Sequence, residues 1–219
     1  MIRALVFDFD GVILDTETPD FVSWREVFVS HGVELTMDAW AQGIGTAPGS
    51  FDPYSHLASL TSVTVEVETI RSYRRARNDA LIAVEVVRPG IETWLTDARS
   101  AGLALGIASS SPSEWVEGHL LRLGLREPFA CIRCRDHVTH AKPAPELYLA
   151  ACAGLGVQPG EAIAIEDSPN GIAAAKAAGL FCVAVPNGIT SALDLSAADF
   201  FAPSLAEATL EGVIAHAGG

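Results

Sequence analysis

The stretch FDFDGVILDTE, residues 7–17, begins where the first apolar segment of the chain ends. Two acidic residues, Asp8 and Asp10, stand at that end. Residues 2–7 have the continuous apolar character of a strand that is buried on both faces of a sheet. A buried strand should not end in two carboxylates unless something binds them, because an unpaired buried charge is costly. The stretch therefore predicts a strand that delivers both carboxylates to a ligand, and Gly11 permits the tight turn that follows.

The same pattern recurs along the chain and predicts an α/β fold. Short apolar runs at 2–7, 103–108, 131–134, 162–165 and 181–185 alternate with amphipathic segments at about 113–124, 144–155, 170–178 and 204–215. Such alternation is typical of a Rossmann-like, three-layer parallel sheet core with helices on both faces.

One region interrupts the alternation. Between residues 18 and 86 the pattern is helical, with segments at 21–31, 37–44, 53–60 and 65–84 and no strand of the kind described above. We therefore expect a discontinuous α/β catalytic core, residues 1–15 and 87–219, and an inserted α-helical cap domain, residues 16–86.

Composition excludes several classes of protein. The 219 residues are 49% hydrophobic, which suffices for a sizeable core, and the net charge of −13 argues against nucleic acid or an anionic membrane surface as partner. No apolar run approaches the ~20 residues of a membrane-spanning helix. Four cysteines without a recognisable secretory signal predict reduced thiols and a cytoplasmic location.

Four polar clusters lie at or just after predicted strand ends, where open parallel sheets bind ligands. The first is Asp8–Gly11, and the second is Ser109–Ser111, whose hydroxyl and backbone N–H groups suit a phosphate at a helix N-terminus. The third is Lys142, which two prolines hold at a helix entry, and the fourth is Glu166-Asp167. Carboxylates from two strands suit Mg²⁺, which prefers oxygen ligands.

Each cluster also has an ordinary interpretation. Asp167 could be a helix N-cap, Ser109–Ser111 a loop, and Lys142 a solvated surface residue. All four clusters in order, each after an apolar strand, are hard to explain by chance. The sequence therefore favours one site that gathers them.

The segments FDFDGVILDTE, IASSS, KPAPELY and IEDSPNGIAAAKAAG resemble, in this order, the four motifs of the haloacid dehalogenase superfamily. The helical insert resembles the cap of its phosphatase and β-phosphoglucomutase branch. The resemblance implies a phosphatase that acts on a small phosphorylated metabolite, either a sugar phosphate or a phosphoglycolate-like acid. We expect a monomer or weak homodimer, and the net charge predicts no nucleic acid or membrane partner.

The resemblance assigns catalytic roles residue by residue. Asp8 is the nucleophile that forms an aspartyl-phosphate, and Asp10 is the general acid to the leaving oxygen and then the base for water. Ser109, the amide of Ser110, and Lys142 hold the phosphoryl group. Transfer to Asp8 then requires mostly positioning and charge neutralisation.

The same resemblance implies a magnesium cofactor. Its ligands are the Asp8 carboxylate, the Asp10 backbone carbonyl and Asp167, with Glu166 in or near the coordination shell.

Predictions for the cap are less specific. The resemblance places Arg77 and Asn78 near a cap lysine of β-phosphoglucomutase that faces the active site, whereas their helix could instead present a solvated basic face. Thr16 and Glu17 are predicted hinge residues, and Thr16 could equally start a capping box. Residues 43–50 contain no basic residue where the mutase carries an arginine for the second phosphate of its substrate. Hydrolysis is therefore favoured over a mutase reaction, and a non-catalytic binding module is a further alternative.

Other chemistries fit the sequence less well. A dehalogenase would not need Asp10, because halide leaves without a proton, and residues 18–86 lack the cap lysine required for phosphonate hydrolysis. Cys131, Cys134, His137 and His140 are metal-capable but do not have zinc-site spacing. The glycines form no dinucleotide-binding fingerprint.

Overall fold

The computed structural model describes residues 1–41 and 51–218. Its centre is a parallel sheet of six strands in the order β3-β2-β1-β4-β5-β6. The predicted fold class is confirmed. The strands are β1 (Ala4–Phe7), β2 (Ala104–Ala108), β3 (Cys131–Arg133), β4 (Ala162–Glu166), β5 (Phe181–Ala184) and β6 (Phe200–Phe201).

Helices follow β1 and cover the sheet. In the described part of the insert, the helices are α1 (Glu17–Ser30), α2 (Met37–Ala41), α3 (Pro53–Leu60) and α4 (Val67–Val84). The five that follow are α5 (Ile91–Ser100), α6 (Ser113–Leu123), α7 (Glu146–Leu155), α8 (Pro169–Ala178) and α9 (Leu210–Ala217).

Alternation along β1 shows why the core has three layers. Leu5 and Phe7 face one apolar cluster, which includes residues of α5, α6 and α9, whereas Ala4 and Val6 face a second cluster with α7 and α8. All four of these strand residues are completely buried. The sheet is thus covered on both faces, as a purely parallel sheet requires.

The inserted helices have an apolar cluster of their own. Its buried members include Phe21, Trp24, Trp40, Leu57 and Ile70. We retain as a proposal the division into a cap, residues 16–86, and a core, residues 1–15 and 87–219, because this cluster is separate from the two that flank the sheet. Among the described residues, no helix has both the length and the apolar character that a bilayer crossing demands.

The structure corrects the predicted elements in several places. Helix α5 and the short edge strand β6 were not predicted, and the helix expected at 204–215 begins at Leu210. It begins there because the Thr209 hydroxyl accepts from the backbone N–H of Gly212, which caps α9. The helix expected at 37–44 is observed over Met37–Ala41, and the rest of that segment, with the segment 43–50, lies outside the described residues.

Candidate active site

The order of the strands brings the predicted clusters together. β1 pairs in parallel with β2 on one side and β4 on the other, so their carboxyl ends are adjacent. From β1 the chain adds β2 and β3 on one side of the sheet, and it then adds β4, β5 and β6 on the other side of β1. Open α/β sheets form a ligand crevice at such a switch point, here between β1 and β4. Asp8 continues the ladder through its backbone N–H, which donates to the Ile165 carbonyl at 2.9 Å.

Lys142 is the buried cation of this crevice. Its ammonium lies 2.7 Å from Asp8 Oδ1 and 2.6 Å from Glu166 Oε1, and its side chain is only 5% exposed. Although burial alone would lower it, the pKa of Lys142 is raised by the neighbouring carboxylates of Asp8 and Glu166. Lys142 is therefore held as an ammonium and is not the solvated surface residue of the alternative interpretation.

Glu166 is completely buried and has donors on both carboxylate oxygens. Tyr148 Oη donates to Oε1 at 2.6 Å, beside Lys142, while the backbone N–H of Asp167 donates to Oε2 at 3.2 Å. Gly171 makes room for this carboxylate, because a Cβ at that position would lie 1.9 Å from Glu166 Oε2. Glu166 therefore holds Lys142 through a second ion pair, in addition to the pair with Asp8.

Asp167 is positioned by residues from two loops. Asn187 Nδ2 donates to Asp167 Oδ2 at 2.6 Å, while Asn187 Oδ1 accepts from the backbone N–H groups of Ile189 and Thr190. Gly11, at φ +78°, lies so close that a Cβ there would be 2.1 Å from Asp167 Oδ2. The tight turn after Asp10 thus brings the backbone against the Asp167 carboxylate.

Asp8, Glu166 and Asp167 form a potential metal site. Each offers an oxygen, and these atoms lie within 4.8 Å of one another. Burial and the neighbouring carboxylates raise the pKa of Asp8 to about 7 in spite of Lys142, and burial together with Asp8 raises that of Asp167 well above its usual range. One ammonium among three buried carboxyl groups leaves a deficit of positive charge, so the donor set fits a hard divalent cation such as Mg²⁺.

Asp10 is held by a different set of donors. Trp115 Nε1 donates to Oδ1 at 2.9 Å, while Ser111 Oγ at 2.7 Å and Ser109 Oγ at 3.3 Å donate to Oδ2. Ser109 is completely buried, and its hydroxyl also accepts from the backbone N–H of Ser111. The structure thus joins the first and second predicted clusters through the Asp10 carboxylate.

A cavity of about 660 Å³ opens above these groups, which is the size of a small-molecule site. Its walls come from the strand ends and from the inserted helices. The lining residues include Asp8, Asp10, Thr16, Glu17, Asp20, Trp40, Phe51, Arg74, Asn78, Ser110, Ser111, Trp115, Lys142 and Asp167. Of the predicted site residues, Ser109 and Glu166 lie beneath this surface, and Arg77 lies away from it.

Two arginines of α4 differ in where they point. Arg74 lines the cavity, forms an ion pair with Asp20 and lies over the Trp24 ring at 5.4 Å. Arg77 instead forms a two-pronged pair with Glu26, with both distances 2.8 Å. The predicted pair Arg77 and Asn78 is therefore separated, because only Asn78 borders the cavity.

Two alternative interpretations find no support in the contacts. Thr16 precedes α1 but makes no side-chain capping bond; Asp15 instead accepts from the Thr18 N–H at 3.0 Å. Within residues 1–41 and 51–218, the one cluster of metal-capable side chains is Asp8, Glu166 and Asp167. The structure therefore does not gather Cys131, Cys134, His137 and His140 into a zinc site.

Sequence reasoning missed several residues that support the site. Asn187 lies three residues after the end of β5, and the strand-end argument that selected Asp8 could have selected it. Tyr148, Trp115 and Arg88 lie inside or before helices, where nothing in the local pattern marks them. Arg88 donates to the carbonyl groups of Gly11 and Pro186 and ties two of the strand-end loops together.

We expect Asn187→Ala to weaken magnesium binding about 10–100-fold, the usual cost of removing a partner that orients a ligand. The reason is that Asp167 loses the amide that holds its Oδ2. Isothermal titration with MgCl₂ measures the affinity. The control is Ser191→Ala, an exposed hydroxyl of the same loop that makes no contact with Asp167. Equal affinities for Asn187→Ala and wild type would contradict the assignment of Asn187.

We expect Glu17→Gln to stabilise the metal-free protein by up to about 5 kcal/mol at pH 9 and to have little effect at pH 4. Burial and the charges of Asp10 and Asp20 raise the pKa of Glu17 to about 8. The folded state therefore binds this proton more tightly than the unfolded state, so Glu17 costs stability increasingly as pH rises from about 4.5 to 8.

Urea unfolding in EDTA at both pH values measures this difference. Glu114→Gln, at an exposed position outside the cavity, is the matched control. A Glu17→Gln effect that is independent of pH would show that Glu17 is not held in a charge-disfavouring site.

Comparison with known proteins shows the family to which this chain is similar. A family model described as haloacid dehalogenase-like hydrolase matches residues 5–185. The chain is 44% identical over 216 residues to the Bacillus subtilis (strain 168) protein named "Putative phosphatase YhcW", covering 99% of this chain and 98% of that protein. It is 33% identical over 194 residues to the fructose-1-phosphate phosphatase YqaB of Escherichia coli (strain K12), covering 83% and 95%.

Among solved structures, the chain is similar to a β-phosphoglucomutase from Clostridium difficile, with a TM-score of 0.75 and 28% sequence identity over 100% of this chain and 98% of that one. These findings confirm the family that the four sequence motifs predicted and the enzyme class that followed from them. The chain therefore belongs to the haloacid dehalogenase-like hydrolase family.

Proposed function

We propose that this hydrolase is a Mg²⁺-dependent phosphatase that cleaves a small phosphomonoester through an aspartyl-phosphate on Asp8. The observation that carries the proposal is the position of Asp8 at the switch point of the sheet. There its carboxylate is paired with Lys142 and grouped with the oxygens of Glu166 and Asp167. A nucleophilic carboxylate, a buried ammonium and a cation site together favour phosphoryl transfer, which depends on positioning and charge neutralisation.

The residues that would hold Mg²⁺ are the Asp8 carboxylate, the Asp10 backbone carbonyl and Asp167. Glu166 stays a predicted ligand, although its contacts with Lys142 and Tyr148 favour a supporting role beside the ion. When bound, the cation supplies the positive charge that keeps Asp8 ionised and offsets the charge of the phosphoryl oxygens.

The chain's own residues account for the proton and the bonds. An Asp8 oxygen attacks phosphorus while the bond to the leaving oxygen breaks, and Asp10 gives that oxygen a proton. Asp10, now a carboxylate, takes a proton from water as the water oxygen attacks the phosphorus of the aspartyl-phosphate. Phosphate leaves, and Asp8 is regenerated. Ser109, the Ser110 amide and Lys142 hold the phosphoryl group throughout.

The cavity favours a polyhydroxylated leaving group. Trp40 Nε1, a donor, and Asn78 Oδ1, an acceptor, are buried without a partner in the described part of the chain, and both residues line the cavity. Unpaired buried polar atoms are costly, so a small side-chain movement that exposes either atom to a sugar hydroxyl in the cavity would be favourable. A relative that hydrolyses fructose 1-phosphate supports the same substrate class.

A β-phosphoglucomutase reaction is the second candidate, because a solved mutase shares the fold and 28% of its sequence. The argument against it is the absence of a basic residue at 43–50, and this segment lies outside the described residues. Activity assays decide between the two.

We expect phosphate release from at least one sugar phosphate that requires Mg²⁺ and is lost in EDTA. Asp8→Asn removes the nucleophile with little change in shape, so its rate should fall by at least about 10³-fold. The screen covers fructose 1-phosphate, glucose 6-phosphate, phosphoglycolate, a nucleotide and β-glucose 1-phosphate. Conversion of β-glucose 1-phosphate to the 6-phosphate without phosphate release would establish the mutase instead. Release that is equal in wild type and Asp8→Asn would overturn both candidates.

We expect Arg74→Gln to lower kcat/KM for the best sugar phosphate about tenfold, because Arg74 lines the cavity. Arg77→Gln is the matched control: it is three residues away on the same helix, pairs with Glu26 and lies outside the cavity, so kcat/KM should change less than about twofold. Steady-state phosphate release measures both. The reverse ranking would return the substrate-facing role to Arg77.

A further inference from the structure

Trp115 connects the cavity to the general acid of the proposed reaction. It lies in the first turn of α6, half-buried, and lines the cavity beside Asp10. Its indole ring meets the His119 ring edge-on at 4.4 Å between centroids, and His119 stacks on Phe9 at 6.3 Å. Phe9 is completely buried and adjoins Asp10 in the chain. The ring is therefore held by packing, and its N–H has a fixed direction.

The hydrogen bonds to Asp10 are chemically unequal. An indole N–H only donates, so the 2.9 Å bond from Trp115 makes Asp10 Oδ1 an acceptor in every protonation state. The hydroxyls of Ser109 and Ser111, which face Oδ2, can rotate and either donate or accept. A proton on Asp10 is therefore favoured at Oδ2 over Oδ1, because the carbonyl oxygen of a carboxylic acid is its better acceptor.

We propose that Trp115 is a positioning residue that fixes the Asp10 carboxyl so that Oδ2 carries the proton for the leaving oxygen. This inference rests on the proposed role of Asp10 as general acid. As the Asp8–phosphorus bond forms, the electron pair of the breaking P–O bond goes to the leaving oxygen, which takes the proton from Oδ2. The negative charge that remains on Asp10 strengthens the bond from the indole N–H, since hydrogen bonds to charged acceptors are the stronger ones.

A purely structural role for Trp115 predicts a different outcome. Loss of packing would lower activity on every substrate alike, because the whole loop after β2 would shift. Loss of general-acid positioning matters only when the leaving oxygen needs a proton. The dependence of the rate on the leaving group therefore separates the two roles.

The experiment compares phenyl phosphate, whose leaving oxygen is basic, with p-nitrophenyl phosphate, whose leaving oxygen departs without a proton. Trp115→Phe keeps an aromatic ring and removes the N–H. We expect its kcat to fall about tenfold or more on phenyl phosphate and less than about twofold on p-nitrophenyl phosphate, since a general acid contributes about 10²–10⁴-fold. Trp94→Phe is the matched control, because its indole N–H bonds the carbonyls of Leu205 and Ala208 in the core.

The ratio of the two rates should be unchanged in Trp94→Phe. An equal fall on both substrates in Trp115→Phe, or no fall on either, overturns the inference and leaves the proposed function standing. If wild type shows no release above Asp8→Asn from either aryl ester or from any sugar phosphate, the proposed function fails and the inference with it.

A second measurement tests the contact without activity. The indole N–H resonance of Trp115 in a ¹⁵N-correlated spectrum should move when Asp10 is changed to Asn, whereas that of Trp94 should stay in place. Coincident Trp115 resonances in wild type and Asp10→Asn would overturn the inference, even if Trp115→Phe failed to fold.

Discussion

The site depends on one buried ammonium that separates two carboxylates. Lys142 lies between Asp8 and Glu166 at hydrogen-bonding distance from each, and all three are almost fully withdrawn from solvent. Removing Lys142 would leave two buried carboxylates without a counter-charge, which is far more costly than loss of a surface pair. The rest of the neighbourhood follows from that constraint: Tyr148 and Gly171 fit the Glu166 carboxylate, and Asp8 is left with an oxygen toward the cavity side.

The carboxyl groups of Asp8, Asp10 and Asp167 have different surroundings. Burial and the charges of Glu166 and Asp10 raise the pKa of Asp8, and burial and the charge of Asp8 raise the pKa of Asp167; a divalent cation would reverse both effects. Asp10 instead has an indole and two hydroxyls, groups that suit a carboxyl which has only to carry a proton. Two acids two residues apart in the sequence thus have environments suited to the different roles proposed for them.

The inserted helices form a cavity wall whose side chains differ in kind from those at the strand ends. Their wall combines acidic side chains, one arginine already paired with Asp20, and aromatic rings. Among the described residues, Trp40 Nε1 and Asn78 Oδ1 have no hydrogen-bond partner, and this is the basis for the proposed leaving group with hydroxyls. This wall is also where an interpretation from sequence was least specific, because basic residues every three or four positions on a helix fit both a solvated face and a substrate contact.

The sequence by itself determined the fold class and the family, and it predicted the polar residues that the structure brings together, which are Asp8, Asp10, Ser109, Lys142, Glu166 and Asp167. The polar residues could be predicted because parallel sheets bind ligands at the carboxyl ends of their strands. A polar cluster after an apolar run in the sequence therefore indicates a binding site. Tertiary structure alone decided which residues orient these groups. Asn187 reaches Asp167 across 20 positions and Trp115 reaches Asp10 across 105, and no local periodicity records such distances. Tertiary structure also decided which arginine of α4 lines the cavity. Arg74 does so and pairs with Asp20, whereas Arg77, three residues later on the same helix, pairs with Glu26 outside the cavity.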